Sequence, residues 1–107
     1  MSILFYDHLV DKQEILVYID NLEAEDQHKG KLKQLVDDIL HQGIVEYVLQ
    51  KLHPHQHHHF LSSLHSAPYD PELINFLKEH IGEDIEDMLR NHAGRLIVTI
   101  KKDLGVS

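Results

Sequence analysis

The sequence predicts an all-α protein: a single compact bundle of four or five helices with one long central helix. Three observations carry this. Apolar residues recur at helical spacing through most of the chain. Only three prolines and five glycines punctuate 107 residues, and long stretches lack either. The run "DQHKGKLKQLVDDILHQGIVEYVLQKL", residues 26–52, holds no proline and reads as one long helix or two in line. The length is that of one domain, residues 1–107, which can bury a single modest core.

The elements follow in order. "ILFYDHLV" is short and apolar, and should pack as a helical turn or short helix against the core. Asp11 and Glu14 stand at capping-box spacing, and Ile15, Leu16, Ile19 and Leu22 follow on one face, so a helix is expected over about 11–22. In the long helix, Leu32, Leu35, Val36, Ile39 and Leu40 lie on one side. Ile44, Val45, Val48, Leu49 and Leu52 lie nearly opposite. Either Gly43 ends one helix, or a continuous helix is covered from different sides by different neighbours. No proline or N-cap residue follows Gly43, which favours the continuous helix.

Pro54 suits the first position of a helix over about 54–65, since its missing N–H would have no partner there. "SAPYD" is a loop, and Asp70-Pro71 starts a helix over 71–81 with Gly82 as its stop. The last helix, 83–104, has acids in its first turn and Lys101 and Lys102 near its end, matching the helix dipole. Its seam is Ile85, Met88, Leu89, His92, Leu96 and Ile100. The β-branched "LIVTI" would also suit a strand, but is assigned to this helix. Leu40, Val48, Phe60, Leu64, Phe76, Ile85, Leu89 and Leu96 form the expected core.

The net charge is −8. Residues 1–27 alone carry seven acids against one base. Such a chain repels nucleic-acid phosphates and anionic membrane surfaces, so neither is an expected partner. With no cysteine there can be no disulfide, thiolate zinc site or cysteine nucleophile, and a reducing cytoplasmic setting is expected. The opening "MSILFYDHLV" lacks the basic start of a signal peptide, and Asp7 interrupts it.

"KLHPHQHHHFLSSLH" is the most unusual stretch, with six histidines in fifteen residues. On a helix, His57 shares a face with Phe60, Leu61 and Leu64, while His55, His58 and His59 lie on the other side. His55 with His59, and His55 with His58, have the i, i+4 and i, i+3 spacing of a two-imidazole chelate for zinc, nickel or copper. A physiological site wants three or four ligands with an oriented outer shell, and no "HExxH" or neighbouring ligand cluster completes one. A solvated polar face that binds such metals adventitiously is the plainer reading. His57 and His92 fall mid-seam, where a buried imidazole is either a hydrogen-bonded core residue or a pH sensor. His41 and His80 read as helix-end residues. No nucleophile elbow or phosphate loop is present, and the paired acids Asp37-Asp38 and Glu83-Asp84 diverge on a helix, so no enzyme activity is expected.

The second half, "HPHQHHHFLSSLHSAPYDPELINFLKEHIGEDIEDMLRNHAGRL", resembles a group of small helical bacterial domains of unknown function from candidate-phylum bacteria. In them a long amphipathic helix ends in a proline turn, followed by an acidic "FL" helix, a "DPE"-type start, "FLKE" and a final amphipathic helix. The likeness spans roughly residues 32–100. The first 30 residues depart from it, as do the histidines, which stand where that pattern has acids. It implies an all-helical fold and no activity, with no cofactor. The expectation is therefore a non-catalytic association domain, a homodimer joined through the 44–52 face of the long helix or the 96–100 part of the last. The alternative is a histidine-rich metal-binding or pH-responsive protein working through His55, His58 and His59.

Overall fold

A computed structural model describes residues 4–105; Ile3 of the opening apolar run lies outside them. After a 3-10 turn at Asp7–Leu9, the helices are α1 (Gln13–Asp20), α2 (Asp26–Lys51), α3 (His57–Ser66), α4 (Glu72–His80) and α5 (Ile85–Leu104). A second 3-10 turn, Pro54–Gln56, joins α2 to α3. The chain forms an all-α bundle built along one long helix, with no strand among the described residues, and "LIVTI" is helical.

α2 runs unbroken through Gly43. Its two apolar faces are covered by different neighbours, and two cores result. At one end Val36 and Leu40 meet Ile15 and Ile19 of α1 and Ile100 of α5. At the other, Ile44, Val48 and Leu52 meet Phe60 and Leu64 of α3, Leu77 of α4, Leu89 of α5, and Phe5, Tyr6 and Leu9 of the N-terminal turn. Stringing two cores along one helix makes the molecule long, 47 × 26 × 20 Å, with a radius of gyration of 15.1 Å. A spherical domain of this size would have about 13 Å.

Local chemistry sets the ends. α2 ends where Leu52 turns extended (φ −81°, ψ 143°), and His53, which precedes Pro54, is extended too (φ −60°, ψ 141°), so the helix cannot resume there. The Asp70 carboxylate accepts the Glu72 N–H at 3.0 Å and starts α4. Ile81 and Gly82 both donate their N–H to the Leu77 carbonyl where α4 ends. Gly82 keeps a negative φ there; the left-handed cap occurs instead at Gly105 (φ 84°), which closes α5. Asp11 accepts the Gln13 N–H in a local turn, and α1 begins at Gln13, later than capping-box spacing suggests.

α1 is the shortest α-helix and depends on its neighbours. Lys12 pairs with Asp37 and Lys33 with Asp20, joining it to α2. Lys101 pairs with Glu14, and the Tyr18 hydroxyl donates to the Leu104 carbonyl, joining it to α5. Across the molecule, Glu86 of α5 meets both His8 and Lys78 at 3.1 Å. Hydrogen bonds from these two groups hold its carboxyl below the usual range.

Four assignments need correction. Phe76 and Leu96 are half-buried, not fully enclosed: Phe76 lies in the groove between α3 and α4, and Leu96 lies over the junction of the two cores. Leu61 is 41% exposed, because α3 is covered only on its Phe60–Leu64 side. The fourth is the 44–52 face assigned to a partner. Ile44 and Val48 are fully buried and Leu52 nearly so, within the chain's own core.

Candidate functional site

The histidine run does not lie on one helix. A 3-10 turn occupies Pro54–Gln56, and regular α-helix starts only at His57, so His55 and His59 belong to different elements. The rings are engaged separately. His53 Nδ1 accepts the His55 N–H at 3.2 Å and caps the turn, and the two rings pack edge to face. His57 is half-buried, and its Nε2–H donates to the Leu52 carbonyl at 3.1 Å, satisfying an acceptor left open at the end of α2. His59 turns across to Phe76 of α4, with ring centroids 5.0 Å apart, and His80 approaches that ring at 4.4 Å. His58 is exposed. Among the described residues no group of three or more His, Cys, Asp or Glu is placed to hold a metal ion, so His55, His58 and His59 are not gathered.

His92 does lie in the seam. It is half-buried between α2 and α5 and stacked on Tyr47. Desolvation, aided by the Arg95 charge, lowers its pKa from the ordinary imidazole value.

The most site-like concavity is one that the residue pattern does not mark. A cleft of about 490 Å³ opens between the N-terminal turn, α1 and the first half of α2. Val10, Leu16 and Leu40 line it. At its base the Tyr6 hydroxyl lies 2.7 Å from His41 Nδ1. Tyr6 is 3% exposed. Burial pushes the phenol far above its ordinary range, and the Asp7 and Asp37 charges add to the effect. The hydroxyl therefore keeps its proton in the pair with Nδ1. Lys12, Lys33, Asp7, Asp37 and Asp38 form the polar part of the lining.

Tyr6 and His41 are 35 residues apart, and His41 alone looks like a helix-surface residue. The only signal in the sequence is an aromatic in the apolar opening run. Its partner becomes visible only when that run folds back on α2.

Comparison with protein-family models, with curated proteins and with solved structures gives no match. Among the described residues no helix is long and apolar enough to cross a membrane.

Proposed function

We propose that this protein is a non-catalytic helical association domain that pairs with a second copy of itself, in the cytoplasm of a bacterium. The observation that carries this reading is the exposure of Leu35 (51%) and Ile39 (39%), one turn apart on α2. Val36 and Leu40 beside them are buried under α1 and α5. The apolar arc of α2 is wider than the chain's own helices cover. In a two-fold pair the same strip meets itself, so Leu35 and Ile39 can pack on Ile39 and Leu35 of the second copy. The 96–100 segment offers less: Ile100 is buried and only Val98 stands well out. The lack of cysteine supports the intracellular setting.

Sedimentation velocity tests this. The expected result is a species of twice the 12.5 kDa chain mass. It should be favoured by salt, because each copy carries −8 and added ions screen the repulsion. The Leu35→Glu/Ile39→Glu variant should sediment as a monomer with the helix content of the parent, and its melting temperature should no longer depend on protein concentration. A parent that stays monomeric at high concentration and high salt would overturn the self-association reading.

A further inference from the structure

We propose that the cleft between the N-terminal turn, α1 and α2 binds a small organic cation with an apolar body. The body would rest on Val10, Leu16 and Leu40, with the ammonium toward Asp7 and Asp38. This site is separate from the Leu35–Ile39 strip and does not depend on it.

The size is suitable: about 490 Å³ lies within the usual range of roughly 300–1,000 Å³ for ligand pockets. The charge follows from an inventory of the lining. Both lysines have anionic partners, Lys12 with Asp37 and Lys33 with Asp20. Asp7 and Asp38 are bonded instead to neutral amides: Asp7 accepts the Leu4 N–H, and Asp38 accepts the Gln34 side-chain N–H. Their charges are uncompensated by those partners, and each keeps an oxygen with acceptor capacity. Tyr6 and His41 are bonded to each other through the hydroxyl and Nδ1, 2.7 Å apart. What the lining has to spare is negative charge and acceptor capacity over an apolar floor. An ammonium group, all donor and positively charged, complements that, and a carboxylate would be repelled. The chain's overall −8 draws a cation in the same direction.

Three probes with similar bodies separate the alternatives: phenethylammonium, 2-phenylethanol and 3-phenylpropionate. Each is titrated into ¹⁵N-labelled full-length protein, followed by amide shifts. The expected result is saturable shifts at Val10, Leu16, Asp38 and His41 with the amine. Binding should be about tenfold weaker with the alcohol, the loss of one charge-assisted contact, and undetectable with the acid. Asp38→Asn should weaken the amine several-fold without changing the melting temperature, because its observed hydrogen bond is a local one on the α2 surface. Leu16→Asn, which makes the floor polar without adding charge, should weaken the amine several-fold if the body rests there. The proposal is overturned if the amine and alcohol bind alike, if the acid binds as well as the amine, if Asp38→Asn has no effect, or if shifts are scattered over the surface or absent at millimolar probe.

Discussion

The Tyr47 and His92 rings lie face to face, 4.2 Å between centroids and 17° from parallel, and join α2 to α5. The Lys51 ammonium lies 5.5 Å from the Tyr47 ring centroid. Arg95 is the nearby cation that acts on His92 from its own helix. The imidazole thus sits between a desolvating aromatic and positive charge, and both favour its neutral form. The Gly43 backbone acts in the opposite direction and is the weakest of the three influences.

A pH dependence of stability follows. The folded pKa of His92 is lowered, so on acidification the unfolded chain takes up the proton first. The contribution of His92 is fully present above the unfolded value of about 6.5 and is lost as pH falls through the lower folded value. Denaturant melts of His92→Gln should show a flatter decline than the parent between roughly pH 7 and 5. His58→Gln, at an exposed position, should track the parent. If His92→Gln also tracks it, the stack does not discriminate between the two forms of the ring.

Leu64 and Leu61 share α3 and differ in surroundings: Leu64 is 8% exposed and packs in the larger core, whereas Leu61 is 41% exposed. Leu64→Ala should therefore destabilise by about 2–5 kcal/mol, from lost burial and the cavity left behind. Leu61→Ala should change stability by less than about 0.5 kcal/mol. Equal losses at the two sites would mean that α3 is rotated from its observed setting.

The helices were legible because their signals are local. Pro54, Asp70-Pro71 and the 3.6-residue spacing each act within a turn or two, and they place α2, α4 and α5 to within two residues. The continuity of α2 was legible for the same reason. What sequence spacing could not fix is how much of each arc the neighbours cover. Leu61, Leu35 and Ile39 have apolar spacing as good as that of Phe60 and Val36, but no helix lies over them. The histidine run starts with three residues of 3-10 turn that the spacing did not reveal, which puts His55 and His59 in different elements. The Tyr6–His41 pair depends on a tertiary contact across 35 residues that no periodicity encodes.

Zinc titration distinguishes a gathered site from a scattered one. His53 is a turn cap, His59 packs on Phe76, and no third ligand meets His55 and His58. Calorimetry on tag-free protein should therefore show weak, non-stoichiometric uptake, and His55→Ala/His59→Ala should reduce it only slightly. Submicromolar one-to-one binding abolished by that double change would establish the metal reading instead.

The last prediction concerns Gly43 of α2 and Leu96 of α5, which lie against each other. A Cβ added at Gly43 would lie 2.7 and 2.9 Å from the two Leu96 methyl carbons, too close without movement. Two effects of Gly43→Ala then compete. Alanine in a helix interior is favoured over glycine by about 1 kcal/mol. Against that, the Leu96 methyls must swing away from positions they hold against both cores. Leu96 is only half-buried and its side chain can rotate, so the two should nearly cancel, leaving Gly43→Ala within about 0.5 kcal/mol of the parent. The opposition appears when Leu96 is first shortened. In a Leu96→Ala background the clash is gone, and Gly43→Ala should stabilise by close to the full propensity gain of about 1 kcal/mol. The double-mutant cycle should therefore show a coupling of at least about 0.5 kcal/mol, with the pair more stable than the sum of the single changes. Gly43→Val, whose branched Cβ is stiffer in a helix, should be clearly destabilising in the parent. Strict additivity of the alanine changes would mean that the two helices sit further apart at this point, and that glycine is not required there for packing.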